Sequence, residues 1–156
     1  MLPTLEDHQF LAMTHMYLSL NYNDIVVVHA KDLLAEDGFT QGRNIIKRVI
    51  GLPGDTIKID AEEGAVYRNG KVLPLEVSGG LLYEDGHLIN DYTTAIHDAS
   101  QGQMWVVPDN HIFVMGDNRN YSKDSRSGDV GMINENYVIG RVIFRLTPLN
   151  SFGTVE

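Results

Sequence analysis

Apolar positions in this chain recur mostly with the spacing of strands. Ile25, Val26, Val27 and Val28 form a β-branched run between Asp24 and His29. An unbroken run of that length predicts a strand buried on both faces or nearly so. Ile45, Ile46, Lys47, Arg48, Val49 and Ile50 make a second such run, stopped by the turn formers around Gly51, Pro53, Gly54 and Asp55. Thr56, Ile57, Lys58, Ile59 and Asp60 alternate polar and apolar, as a half-exposed strand does. Residues 66–73 predict a hairpin, because Asn69-Gly70 supplies the positive φ values of a type I′ turn. Strand character returns at residues 104–107, at 111–115 after a Pro-Asp-Asn turn, and at 137–146. Residues 76–103 hold Gly-Gly, Asp-Gly and scattered acids, and predict loops and short edge elements. Only residues 31–37 predict a helix, and a short one. The pattern is mostly β with an antiparallel sheet: residues 1–59 and 104–156 form a discontinuous core, and 60–103 a small β/loop insert.

Composition narrows the function classes. The chain has 156 residues, enough for one domain with a core that needs no disulfide staples. Twelve Lys and Arg against 21 Asp and Glu leave a net charge of −9 and no basic stripe, so no nucleic-acid partner is expected. With no cysteine, a disulfide framework, a zinc ribbon and a Cys nucleophile are all excluded. His8, His15, His29, His87, His97 and His111 show no metal-ligand spacing, so neither a metal nor another cofactor is expected. Purely apolar runs, such as 25–28, reach only four residues, whereas a bilayer crossing takes about 20. Phe10, Met13, Met16, Tyr17 and Leu18 form an apolar cluster that suits core packing, a plain strand and loop, or a membrane-contacting surface.

Two segments carry candidate chemistry. Gly116-Asp117-Asn118-Arg119-Asn120-Tyr121-Ser122-Lys123-Asp124-Ser125-Arg126 packs five charges and two serines directly after an apolar strand. Such residues also serve simply to turn a chain, and the spacing does not fit a calcium loop. Lys47 is a cation inside a β-branched run. A strand lysine commonly snorkels to solvent. Held in apolar surroundings instead, it would lose its proton more readily and could activate a serine hydroxyl in place of histidine.

Together with Met1-Leu2-Pro3-Thr4-Leu5, these segments resemble the type I signal peptidases, serine–lysine endopeptidases that remove signal peptides from exported proteins. That family carries Ser-Met-x-Pro-Thr-Leu, then Lys-Arg-x-x-Gly-x-Pro-Gly-Asp, matched here from Lys47 to Asp55, then Gly-Asp-Asn-x-x-x-Ser-x-Asp-Ser-Arg, matched from Gly116 to Arg126. The likeness extends to the strand at 24–28, the Asn69-Gly70 hairpin and Ile139-Gly140-Arg141. It implies a signal-peptidase-like antiparallel core, with Lys47 as general base and Ser122 orienting the lysine amine. Gly116, Asp117, Arg119, Asp124 and Arg126 then support the site, and Met1, Leu5 and Ile46 line shallow pockets for small P1 and P3 side chains. The implied partners are signal-peptide-bearing preproteins and the cell membrane, reached through an N-terminal anchor, with the catalytic domain on the extracytoplasmic side.

The family's nucleophilic serine falls immediately before the residue matched by Met1. The chain as written therefore lacks a nucleophile and is expected to be inactive. A start upstream, carrying the serine and an anchor, accounts for this. A Ser-less homologue that binds export substrates or partners without cutting is the alternative. A self-cleaving serine–lysine repressor is disfavoured by the absence of a helix-turn-helix segment and of basic charge.

Overall fold

β-branched runs separated by Gly, Pro and Asn turns leave little room for helix, and the chain folds accordingly. The structure is a computed structural model that describes residues 1–2, 4–16, 19–29, 43–60, 65–73, 83–84, 87–88, 104–119, 122–128 and 130–155. The strands in chain order are β1 (Leu11–Thr14), β2 (Ile25–His29), β3 (Asn44–Gly51), β4 (Thr56–Asp60), β5 (Ala65–Arg68), β6 (Lys71–Val72), β7 (Tyr83–Glu84), β8 (His87–Leu88), β9 (Met104–Val106), β10 (His111–Met115), β11 (Ile133–Asn134), β12 (Val138–Arg145) and β13 (Gly153–Thr154). The larger sheet has the order β1-β12-β2-β3-β10-β11, with β13 added to β12. A smaller sheet runs β6-β5-β4-β9, and β7 pairs with β8. Every pairing is antiparallel.

The apolar patterns translate directly into burial. Val26 and Val28 pack with Val49, Ile112, Val114 and Ile133. Ile25 and Val27 lie with Leu5 and Val142 in a separate cluster. β2 is thus covered on both faces, as its unbroken run predicts. In β4 only Ile57 and Ile59 are buried. They join Ile50, Phe113 and Met115 in a third cluster that links the two sheets. Trp105 packs there, its ring centroid 5.2 Å from that of Phe113. Asn69 and Gly70 adopt φ of 52° and 77°, the left-handed pair that the hairpin requires.

The smaller sheet draws on both sides of the expected core–insert boundary at residue 60. β4 and β9 come from the core segments, whereas β5 and β6 come from the insert. The helix expected at 31–37 and most of residues 74–103 lie outside the described residues. Phe10, Met13 and Met16 are exposed rather than core-packed; Tyr17 and Leu18 lie outside the description. No helix among the described residues is long and apolar enough to cross a membrane.

Candidate active site

β3 and β10 are neighbours, with Arg48 opposite Met115 and Val49 opposite Val114. This register brings Lys47 to the point where the chain leaves β10 at Gly116. The loop that follows folds back onto its own strand. Ser125 donates its backbone N–H to the Val114 carbonyl at 3.1 Å, and the Ser125 hydroxyl accepts from Val114 N at 3.0 Å. Asp124 Oδ2 accepts from the Gly116 amide at 2.9 Å. The fold-back lays Ser122 over Gly116 and beside Lys47, whose Nζ donates to Ser122 Oγ at 2.9 Å.

Gly116 is required by this approach. A β-carbon there would overlap Ser122 Oγ, lie 2.6 Å from Ser122 Cβ and 3.4 Å from Lys47 Nζ. The glycine leaves the space that the serine and the lysine occupy.

Lys47 does not snorkel from the strand. Burial pushes its amine below the ordinary lysine value, and the nearby Arg126 charge adds to the effect. Asp124 and Asp117 act in the opposite direction without cancelling it. The environment thus shifts the amine toward its neutral form, the one able to accept a proton.

Asp117, Arg119, Asp124 and Arg126 of the loop are all buried, and each has a charged or backbone partner. Arg126 grips Asp124 with Nε and Nη2, both at 2.8 Å, and its Nη2 also reaches the Arg119 carbonyl at 2.8 Å. Burial alone would raise the Asp124 carboxyl, but Arg126, the Gly116 amide and Lys47 together hold it below the usual carboxylate range. Arg119 Nε donates to the Gly116 carbonyl at 2.9 Å. Asp117 is clasped by Arg48 through two bonds of 2.9 Å, with side-chain exposures of 0% and 2%. Charges so deeply buried persist because each is paired and hydrogen-bonded.

Met1, Leu5 and Ile46 come together in the apolar cluster around Ile25 and Val142. Leu5 is buried there, while Met1 and Ile46 stay partly open. The Met1 nitrogen is itself partly buried and within electrostatic reach of Lys47, whose charge lowers its pKa after burial has done so first.

Three polar partners escape the sequence reading. Thr4 Oγ1 donates to Asp117 Oδ2 at 2.5 Å. Arg48 also binds the backbone and side-chain oxygens of Asn23, at 3.2 and 3.1 Å. Arg145 Nη1 donates to the Thr4 carbonyl at 2.9 Å. Thr4 and Arg48 stand inside the motifs and were within reach; Arg145, near the end of a long strand, carries no such signal.

A lysine amine with its pKa lowered by burial, hydrogen-bonded to a serine and backed by buried carboxylate–guanidinium pairs on an antiparallel β scaffold, is the arrangement expected of the serine–lysine peptidase class. Comparison with known proteins makes the assignment specific. Residues 1–147 match the family described as signal peptidase, peptidase S26. The probable signal peptidase I-1 of Synechocystis is 33% identical over 98% of this chain and 69% of its own length. Signal peptidase I S of Bacillus subtilis is 34% identical over 96% of this chain and 73% of its own length. The crystal structure of a signal peptidase I from Enterococcus faecalis superposes with a TM-score of 0.51 at 25% identity, covering 81% of this chain and 98% of that one. The chain belongs to the signal peptidase family, peptidase S26.

Proposed function

We propose that this chain is the catalytic part of a bacterial type I signal peptidase, cleaving signal peptides from exported preproteins with Lys47 as general base. The observation that carries the reading is the amine of Lys47, shifted toward neutrality and held 2.9 Å from Ser122 Oγ. The nucleophile in this reading is a serine joined to the Met1 nitrogen. That nitrogen lies within electrostatic reach of Lys47, and Met1 packs in one cluster with Ile46, the residue before Lys47, so a residue attached there starts on the side of the base.

The chemistry then follows. Neutral Lys47 takes the serine proton as Oγ attacks the scissile carbonyl, and returns it to the departing amine. A water activated by the same lysine hydrolyses the acyl-enzyme. Ser122 orients the amine, and the Asp124–Arg126 and Asp117–Arg48 pairs hold the loop and strand that carry it. The substrate lies extended along β3, whose residues 44–47 pair with β2 on one side and, among the described residues, with no strand on the other. Strand addition of a peptide suits such an edge. Small P1 and P3 side chains sit against Met1, Leu5 and Ile46. The whole protein is anchored in the cell membrane with this domain on the extracytoplasmic side.

The experiment places Ser before Met1 and assays a signal-peptide substrate with and without Lys47→Ala. Cleavage by the Ser-bearing chain that disappears with Lys47→Ala is the expected result. Cleavage that survives Lys47→Ala rules out the base. A folded Ser-bearing chain that binds the substrate and never cuts it favours a non-catalytic relative.

A further inference from the structure

Met1 packs with Ile46, next to Lys47 in sequence, and its nitrogen is within electrostatic reach of that amine, so whatever fixes Met1 controls how well a nucleophile attached to it meets its base. We infer that Arg145 is a positioning residue for the reaction, holding the nucleophile-bearing segment in register by its grip on the Thr4 carbonyl. The inference rests on the reading that the serine is joined to Met1.

Leu5 N donates to the Met1 carbonyl at 3.0 Å, tying the Thr4-Leu5 end of the segment back to Met1. Displacing Thr4 therefore displaces Met1. Thr4 is 2% exposed and held at two points. Its hydroxyl donates to Asp117, which Arg48 clasps from the strand that carries Lys47. Its carbonyl accepts from Arg145 Nη1 at 2.9 Å. The guanidinium is fixed in turn, because Nε donates to the Ser151 carbonyl at 2.6 Å. The Arg145 backbone is held opposite Leu11 of β1 and Gly153 of β13. One planar fork thus joins the C-terminal turn to residues 1–5, and without it Thr4 can pivot on its single hydroxyl contact. A lysine, with its point charge on a flexible stem, meets one carbonyl rather than two in fixed geometry.

The test uses the full chain bearing Ser before Met1, with Arg145→Met, Arg145→Lys and the parent compared. For Arg145→Met, kcat falls about ten- to a hundred-fold, the cost of a small displacement between reacting groups. KM stays within about twofold, because substrate binding is not what Arg145 serves. Arg145→Lys lies between Met and the parent; if Arg145→Met does not fold, this variant alone carries the comparison.

A second readout needs no catalysis: NMR titration of the Lys47 side chain in the chain without the added serine. Lys47 is faced by Asp124, Arg126, Asp117 and the Met1 amine. Loosening residues 1–5 admits water and moves its titration up toward the ordinary lysine value. A folded Arg145→Met protein with parental kcat overturns the inference. So does a rise in KM at constant kcat, or an unmoved Lys47 titration. If the Ser-bearing parent is itself inactive, the nucleophile assignment fails, and the titration still decides the role of Arg145.

Discussion

Ser122 occupies the space that a side chain on Gly116 would need: a β-carbon there would stand 2.6 Å from Ser122 Cβ. The glycine is therefore part of the Lys47–Ser122 contact, although it carries no functional group. Gly116→Ala is expected to push Ser122 off the lysine. Overpacking of this kind costs about 1–3 kcal/mol. Thermal unfolding measures that loss, and turnover of the Ser-bearing chain falls more than stability alone explains. A variant with wild-type turnover would show that the contact is dispensable.

Ser122→Ala removes the partner of Lys47 Nζ and leaves the scaffold in place. One hydrogen bond between neutral groups contributes about 0.5–1.5 kcal/mol, so kcat should drop by up to about tenfold with KM little changed. Steady-state kinetics on the Ser-bearing chain separate the two. An effect confined to KM assigns Ser122 to substrate binding instead.

Asp124→Asn leaves Arg126 as a buried charge without its carboxylate. Breaking such a pair from one side costs about 3–5 kcal/mol, read as a lowered urea midpoint. The acid dependence has a definite sign. The folded-state carboxyl titrates below its ordinary value of 3.8, so the stability it contributes is present above 3.8 and lost as pH falls through the lower folded value. Asp124→Asn should lose that part of the acid transition.

Lys47 gives a slope of the same sign at higher pH. Its folded-state pKa is lowered, first by burial, from an ordinary 10.5. Between that lowered value and 10.5 the unfolded chain binds more protons, so unfolding free energy rises with pH and levels off above 10.5. Lys47→Met should lack this component when urea midpoints are compared from neutral to alkaline pH. The same titration sets the acid limb of activity in the Ser-bearing chain, which rises with pH until the amine is neutral. Parallel stability curves for parent and Lys47→Met would mean that the amine is not perturbed.

Much of this architecture is written locally. The β-branched run of β2 can satisfy its backbone and bury its side chains only as a covered strand, and Asn69-Gly70 admits essentially one hairpin turn. The candidate site residues Lys47 and Ser122 are legible because their neighbours form long, specific motifs. Alternation along a strand says which face a residue takes, but not which distant segment meets that face.

That meeting is a matter of sheet order and loop path. Lys47 alone reads equally well as a snorkelling surface lysine. Only the β3–β10 register and the fold-back of the loop onto β10 hold it, partly buried, against Ser122. Thr4 reaches Asp117 across 113 residues and Arg145 reaches Thr4 across 141. No local pattern encodes such pairs, because their energies arise from desolvation and hydrogen bonding once the sheet has closed. The sequence by itself determined the longer strands β2, β3, β4, β10 and β12, the Asn69-Gly70 turn and which residues are candidates for the chemistry, but not β1, β11 or β13. The tertiary structure decided which charges are buried together, and hence which amine is pushed toward neutrality.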